Sequence, residues 1–292
     1  MQNILSQADL DGILGGRADA PEPSASNQKT VAKGAADRAG ATTAAVRYRF
    51  IARQEASAPS PPMARILRGG GGRGGATRLK LYLSLLWLAR SLDHDRPVFA
   101  YPAQSMAALL GLPNPDEAGA RRVQSALRWL AAQGFVALDR RRGDVTRVHL
   151  LDDAGSGEPY QPPGPLAAHG QRRSQKEREQ HFYVQLDARF WTHGWVADLS
   201  GAAVAMYLAC LYENRGRESD STVWISPGAG RDRYDLSDET RNRGFRELVD
   251  QDLLTLGRRP VPANSFFEER FRARNVYVLR PRRWEGEPAE KF

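Results

Sequence analysis

The sequence contains a single cysteine and no long apolar run, and both features restrict what the protein can be. Cys210 has no second cysteine for an intrachain disulfide or a cysteine zinc site, and its apolar surroundings predict a small buried core residue. No apolar run approaches the ~18 residues that a membrane-spanning helix needs. The N-terminus also lacks the basic region and apolar core of a secretory signal. We therefore expect a bacterial-type cytoplasmic protein with no membrane partner.

Histidine is scarce as well, and the sequence contains no catalytic or metal-binding pattern. The five histidines, at positions 94, 149, 169, 181 and 193, do not have metal-ligand spacing. There is no Ser–His–Asp grouping and no nucleophile elbow. The glycine-rich run Gly69–Gly75 lacks the Lys-Ser/Thr ending and the preceding strand of a nucleotide-binding loop. We expect a protein that is not an enzyme and has no metal and no cofactor.

Lysine is rare, because arginine supplies almost all of the positive charge. Only five of the 42 basic residues are lysine, and the net charge is +8 with a pI near 9.9. A high-GC genome produces the same bias, so the positions of the arginines are more informative than their number. Residues 64–153 hold 14 basic and 8 acidic residues, a balance of +6, whereas residues 181–280 hold 14 of each. Because phosphate neutralisation supplies much of the affinity for DNA, the first region is predicted to be the main anchor.

Composition divides the chain into five parts. Residues 1–63 are rich in small residues, proline and glycine and poor in large apolar ones, which predicts a mostly disordered tail. Within this tail, residues 4–14 can form a short amphipathic helix, and Val46–Ile51 alternates like a strand. The remaining parts are a first domain, a linker rich in glycine, proline and charge, a second domain and a C-terminal tail, at residues 64–153, 154–180, 181–280 and 281–292 respectively.

The first domain has the element order of a helix-turn-helix protein followed by a hairpin. Glycine and proline in the segment 111–115 predict the turn, and Gly134 predicts the end of the longest helix. That helix carries apolar residues at helical spacing, and the hairpin tip after it is strongly basic. The predicted elements are three helices and two strands, at Leu79–Ala89, Ala103–Leu110, Asp116 or Glu117 to Gln133, Phe135–Leu138 and Val145–Leu150.

The second domain repeats this order. Ser200 is the expected cap of its first helix, and acidic residues follow Ser237 in the first turn of its third helix, where the helix dipole favours them. A long hairpin then joins the last two strands. The predicted elements are Leu199–Asn214, residues 228–236, a helix from Ser237 to about Gln251, and the strands Leu253–Leu256 and Asn275–Leu279.

An internal repeat supports the comparison of the two domains. The segment Arg122–Leu138 aligns with Thr240–Leu256 at a constant offset of 118 residues, without a gap. Identical residues meet at four positions, which pair Arg128 with Arg246, Leu130 with Leu248, Gln133 with Gln251, and Leu138 with Leu256. Both segments run from a small polar start through an apolar residue, arginine and leucine to a turn and an apolar strand.

Each repeated segment resembles the stretch from recognition helix to wing in bacterial winged helix-turn-helix proteins. The resemblance covers about residues 77–152 and 181–280, and it implies an α+β fold with two winged helix-turn-helix domains behind a disordered N-terminal tail. The implied partner is double-stranded DNA, which would localise the protein to the nucleoid. One departure from the pattern is Arg241 in the third helix of the second domain, which stands where an aliphatic residue is expected. It predicts that this helix is tilted or that its N-terminal turn is less buried.

The polar side chains outside each apolar stripe are the candidate DNA contacts, with a solvated helix face as the alternative interpretation. Arginine can pair bidentately with guanine, glutamine with adenine, and serine with phosphate. The first domain supplies Arg121, Arg122, Gln124, Ser125 and Arg128, with Arg140, Arg141 and Arg142 in its wing. The second domain supplies Thr240, Arg241, Asn242, Arg243 and Arg246, with Arg258 and Arg259 in its wing.

Three functions are compatible with this reading. A transcription regulator is the first expectation, and a plasmid replication initiator is the alternative, since some initiators are also tandem winged-helix proteins with long tails. A segregation or structural protein is the third. The second domain could read DNA weakly, form a homodimer or bind a protein. Segment 4–14 is a further candidate for a protein contact, because Gln7–Leu10 is similar to the start of a sliding-clamp-binding peptide, with Asp11 in place of the expected aromatic residue.

Overall fold

The computed structural model confirms the α+β class: helices dominate, and the strands form three small antiparallel sheets. In the first sheet two strands pair, and each of the other two sheets has three strands. The predicted helix at residues 4–14 lies outside the part of the chain that the structure describes. The structure describes residues 25–69, 74–89, 98–100, 102–140, 145–163, 174, 179–215, 217, 221–262 and 271–289.

The prediction of a mostly disordered tail up to residue 63 is wrong for residues 25–63. This segment forms a helix, a strand and a short helix, and a further helix begins at its end. Few of its residues are large and apolar, but Val46, Phe50 and Ile51 are fully buried. Local composition missed this because the apolar surface that covers these residues comes from distant parts of the chain. The elements are α1 (Ala25–Ala39), β1 (Thr43–Arg47), α2 (Tyr48–Ile51) and α3 (Pro62–Arg68).

The first unit, residues 75–150, follows the predicted order closely. A turn of π-helix at Pro115–Gly119 leads into its longest helix, where a continuous α-helix from residue 116 or 117 was predicted. Gly134 adopts a φ of 75°, which a residue without Cβ reaches at little cost, and this ends the helix as expected. The elements are α4 (Gly75–Leu88), β2 (Val98–Phe99), α5 (Ala103–Leu109), α6 (Ala120–Ala132), β3 (Val136–Asp139) and β4 (Arg147–Leu150), with sheet order β2-β4-β3.

The second unit, residues 201–279, has the same order, and a strand and two short helices lead into it. The side chains of Ser200 and Ser237 accept hydrogen bonds from the backbone N–H groups of Ala203 and Thr240, and so cap its first and third helices. The elements are β5 (Tyr183–Asp187), α7 (Arg189–Thr192), α8 (Trp195–Asp198), α9 (Gly201–Glu213), β6 (Thr222–Val223), α10 (Pro227–Asp232), α11 (Asp238–Asp250), β7 (Leu254–Pro262) and β8 (Phe271–Leu279), with sheet order β6-β8-β7.

The offset of 118 residues holds in three dimensions. Adding 118 to the residue numbers converts the ends of α6 into those of α11, and the first residue of β3 into that of β7. After each helix the same backbone hydrogen bond closes the turn, from Phe135 to the Leu130 carbonyl at 3.0 Å and from Leu253 to the Leu248 carbonyl at 2.9 Å. The turn residue has a positive φ in both units, so the repeat is a repeat of backbone geometry.

Strands β1 and β5 pair antiparallel and join the two halves of the chain. The register joins Thr43 to Asp187 and Arg47 to Tyr183, centred on Ala45 and Gln185. The flanking hydrogen bonds are symmetric, because Tyr48 donates to the Phe182 carbonyl at 2.9 Å and Ala188 donates to the Thr42 carbonyl at 2.8 Å. The strand pair is therefore symmetric about its own centre, and a hydrogen bond extends it at each end.

One hydrophobic core runs through both halves of the chain. Helices α4 and α9 approach closely at their N-termini, where a Cβ on Gly201 would lie 2.9 Å from the Cβ of Ala76. Trp87 of the first half stacks on Trp191 of the second with ring centroids 4.5 Å apart. Trp284, in the predicted C-terminal tail, is also buried and donates to the Tyr207 hydroxyl at 2.6 Å. The two units share one core, and part of the predicted tail completes it.

A buried ion pair joins β1 to the segment that follows β4. The guanidinium of Arg47 lies 2.9 Å from the carboxylate of Asp153, and these side chains are 1% and 0% exposed. Arg49 reaches the same carboxylate at 3.3 Å, and Tyr160 of the predicted linker is buried beside the pair. Burial raises the pKa of the Asp153 carboxyl above its usual range, against the attraction of the two arginines.

Breaking this pair should destabilise the protein strongly. Asp153→Asn leaves the Arg47 guanidinium buried without its counter-charge, which typically lowers the free energy of unfolding by about 3–5 kcal/mol. The matched control is Asp252→Asn, which removes the exposed partner of Arg280 and should cost under about 1 kcal/mol. Urea unfolding followed by tryptophan fluorescence measures both variants. Equal losses in the two would show that the buried pair has no special role.

Candidate nucleic-acid interface

Helix α6 presents a polar face because its apolar residues are turned to the core. Val123 and Leu130 are fully buried, and Trp129 packs under the guanidinium of Arg78, whose Cζ lies 4.5 Å from the ring centroid. A Cβ on Gly69 would collide with the Trp129 ring, so the chain before α4 also holds this helix. All five residues of the predicted set are exposed, namely Arg121, Arg122, Gln124, Ser125 and Arg128.

The exposed set on α6 combines positive charge with groups that can read bases. Arg121, Gln124 and Arg128 are spaced at three and four residues, so they share one side of the helix. The turn of π-helix contributes two acidic residues at the edge of this face, and Arg121 lies 4.0 Å from the carboxylate of Glu117. Asp116 and Glu117 line a cleft of about 390 Å³ with Arg121 and Gln124. These carboxylates repel phosphate and limit how closely a DNA backbone can approach that end of the helix.

The hairpin of the first unit is described at its base. Arg140 follows β3 directly and is exposed. Arg141 and Arg142 lie outside the described residues. Strand β4 pairs with both β2 and β3, so the base of the hairpin is held on two sides.

Helix α11 presents a smaller exposed set. Asn242, Arg243 and Arg246 are exposed, whereas Thr240 is half-buried and its hydroxyl accepts a hydrogen bond from Ser237 at 2.9 Å. The helix is packed closely on α9, because a Cβ on Gly244 would lie 2.5 Å from the Ala202 carbonyl oxygen. Of the predicted contact residues, three are therefore exposed on this helix, where all five are exposed on α6.

Arg241 does not belong to the exposed face, contrary to the sequence prediction. Its side chain is 11% exposed and donates to the Ile225 carbonyl at 3.2 Å and to the Asn242 side-chain oxygen at 3.0 Å. It occupies the inward position that Val123 fills in the first unit. Space exists because the underlying residue is Gly230, whose added Cβ would be 3.3 Å from the Arg241 Cδ. A long aliphatic stem thus replaces the expected apolar residue, and the Arg241 side chain is largely covered.

The two arginines of the second wing point to opposite faces of the hairpin. Successive residues of a strand alternate in direction, and the register pairs Arg258 with Asn275 and Arg259 with Arg274. The face that carries Asn275 also carries Tyr277, whose ring stacks on Phe245 of α11 at 3.9 Å. Arg258 therefore lies on the α11 side, and Arg259 on the outer side.

Sequence reasoning missed a cluster on that outer side. Trp224, Arg217 and Arg274 lie with Arg259 around one pocket, although they come from separate elements. Their positions along the chain follow no motif, and no local pattern brings them together. Only the pairing of β6 with β8 and of β8 with β7 does so.

Comparison with protein-family models, with curated proteins and with solved structures finds no match to this chain. Across the described part of the chain, no group of three or more His, Cys, Asp and Glu side chains is arranged to hold a metal ion. Within the same residues, no helix combines the length and apolar character that crossing a membrane requires.

The contrast between Arg241 and its neighbour Arg243 can be tested by stability. Arg241→Ala removes the hydrogen bond to Ile225 and the packing of the stem, and should lower the free energy of unfolding by about 1–3 kcal/mol. Arg243→Ala changes an exposed side chain on the same helix and should stay within about 0.5 kcal/mol of the parent. Urea unfolding measures both. Equal stabilities would contradict a structural role for Arg241.

Proposed function

We propose that the protein binds double-stranded DNA through α6 and the hairpin β3–β4, with α11 and β7–β8 as a second contact. The observation that carries this proposal is the exposed face of α6, with three arginines, a glutamine and a serine beside a hairpin. A helix of this width fits the major groove, where base edges present a distinct code of donors and acceptors. Arg140 lies at the hairpin base, shortly after α6 in the chain, and in this proposal it contacts a phosphate next to the groove that α6 enters.

The order of elements supports a winged-helix interpretation of both units. Each unit runs helix, strand, helix, helix, strand, strand, and in each sheet the first strand pairs with the last. This is the order of winged helix-turn-helix domains, in which the third helix reads the major groove and the hairpin contacts the backbone. In this reading α6 and α11 are the two recognition helices, and the hairpins are the wings.

The two units are unequal partners for DNA in this proposal. The first region has a balance of +6 and the second a balance of zero, so phosphate attraction is concentrated on the first. The inward turn of Arg241 removes one more charge from the face of α11. The second unit then refines position and sequence, and the first supplies most of the affinity.

Salt dependence of binding tests this proposal. In Arg121→Ala/Arg122→Ala/Arg128→Ala, three phosphate or base contacts are lost, so the slope of log K against log salt should become shallower by about 2–3. The affinity for a duplex should fall by about tenfold or more at 0.1 M salt. Fluorescence anisotropy with a labelled duplex measures both quantities.

The controls separate the two units and exclude a general charge effect. Arg243→Ala/Arg246→Ala should change the slope less than the α6 variant does, and Arg282→Ala, an exposed arginine on neither helix, should leave it unchanged. An unaltered slope in the α6 variant would refute the assignment of α6 as the main contact.

A transcription regulator is the first candidate role. The presence of two units in one chain gives a reason to retain a replication initiator as the second. Two unequal units in one chain read an asymmetric site, whereas a symmetric dimer reads a palindrome. Asymmetric sites can be repeated in the same direction, which suits an initiator at an array of repeats. Neither role requires a homodimer to make two contacts.

Genome-wide footprinting distinguishes the two roles. Single sites upstream of transcribed genes would support the regulator, and a cluster of direct repeats beside the gene for this chain would support the initiator. The α6 triple variant is the control, since genuine sites should disappear from its footprint. Sites that persist in that variant would contradict both roles.

A further inference from the structure

The second unit contains a pocket of about 400 Å³, which lies apart from the proposed main DNA contact on α6. Its walls come from the end of α9, from α10, from the residue after β6 and from the outer face of the β7–β8 hairpin. The hairpin residues in the pocket are Arg259, Arg274 and Val276, which alternate with the residues that face α11. The pocket therefore opens on the side of the sheet opposite to Phe245 and Tyr277.

An exposed tryptophan forms one wall of this pocket. Trp224 is 43% exposed, which is unusual for so large an aromatic side chain. The guanidinium of Arg274 is stacked over its ring, with Cζ 3.4 Å from the ring centroid. Stacking holds the guanidinium plane in one orientation and leaves its N–H edges available for an anion. An aromatic surface and a fixed cation are thus presented together.

The charge in the pocket is positive although the unit around it is neutral. Four arginines line it, and the one carboxylate among its lining residues is Glu213. Glu213 is already engaged, because Arg233 donates to it at 2.6 Å and the buried Tyr234 hydroxyl donates to it at 2.6 Å. Burial raises the pKa of Tyr234, so its hydroxyl stays protonated and keeps donating. Arg217 and Arg259 also line the pocket, and both are exposed.

We propose that this pocket binds a nucleoside diphosphate or triphosphate, with the base stacked at Trp224 and the phosphates held by Arg217, Arg259 and Arg274. The volume is within the range of small-molecule sites, which is ~300–1,000 Å³. A diphosphate carries a charge of about −3 near neutral pH, since its terminal phosphate alone carries nearly −2. That charge matches four arginines offset by one glutamate. Guanidinium groups also suit phosphate because they bind two oxygens at once.

This inference does not depend on DNA binding by α6. The residues of the pocket lie in the second unit and, on the hairpin, on the face turned away from α11. Arg258 and Arg259 are adjacent in sequence and both exposed, but only Arg259 lines the pocket. Substitution of Arg259 therefore tests the pocket, and the same substitution of Arg258 is the matched control.

Isothermal titration calorimetry of the full chain with ADP and with GDP tests the proposal. Inorganic pyrophosphate, adenosine and a single-stranded dT decamer serve as separate probes of the phosphate, of the base and of a nucleic-acid strand. We expect a nucleoside diphosphate to bind about tenfold more tightly than pyrophosphate, because base stacking is lost in the latter. Adenosine should bind more weakly still.

Variants connect the binding to the pocket. Arg259→Ala and Arg274→Ala should each weaken ADP binding by about tenfold or more, and Trp224→Ala should remove the preference over pyrophosphate. Arg258→Ala should change the affinity by less than about twofold, since exposed charges at that distance are screened. Urea unfolding of each variant establishes that it is folded. Trp224→Phe keeps an aromatic face and should retain the preference.

Four outcomes would overturn the proposal. They are the absence of nucleotide binding at millimolar concentration, equal affinity for pyrophosphate and ADP, binding of the decamer alone, and equal loss in Arg258→Ala and Arg259→Ala. The second outcome would leave an anion site without base recognition, and the third would identify a contact with a nucleic-acid strand. DNA binding by the α6 variants is measured separately, so failure of one proposal does not affect the other.

Discussion

The antiparallel pairing of β1 with β5 is the constraint on which the rest of the structure depends. It joins a strand that precedes α4 to a strand that precedes α9, and so brings the two halves of the chain together. Helices α4 and α9 can then meet at Ala76 and Gly201, and Trp87 can stack on Trp191. The buried pair of Arg47 and Asp153 anchors the end of β1 to the chain that leaves the first unit. Desolvation offsets much of the attraction in a pair buried to this degree, so its net contribution to stability is small as long as both partners are present.

Sequence reasoning succeeded where the determining interactions are local. The apolar spacing of α6, the serine caps of α9 and α11 and the glycine after α6 act within a few residues, and these elements were predicted to within a few positions. It failed where the partner is distant. Residues 25–63 looked too polar to fold alone, and Arg241 looked misplaced in an apolar stripe. In the structure, the shared core covers the apolar residues of segment 25–63. Arg241 fits because Gly230 leaves space for its stem and the Ile225 carbonyl accepts its hydrogen bond. The five exposed residues of α6 are brought together as predicted, whereas Arg258 and Arg259 are separated by strand alternation.

The two units show how one backbone plan accommodates two surfaces. The turn after the third helix is closed by the same hydrogen bond in both, and the inward positions of α6 and α11 correspond. The side chains on this common backbone differ. The first unit has Val123 as a core contact and a basic face, whereas the second has Arg241 at the inward position and a net charge of zero. The charge of the second unit is instead gathered around Trp224, on the other side of its sheet. Both surfaces we propose as binding sites lie on positions that the core does not constrain.

The long separation between β1 and β5 has a consequence for the synthesis of the protein. A ribosome makes the whole first unit before Asp187 emerges, so until then β1 lacks the strand that covers its edge. An unpaired apolar strand is a site of misassembly, because it can pair with the same strand of a neighbouring nascent chain. That wrong product would resemble the right one, since two copies of β1 would pair antiparallel as β1 and β5 do. Rapid completion of the second half, or a chaperone on the first, would keep the pairing within one molecule.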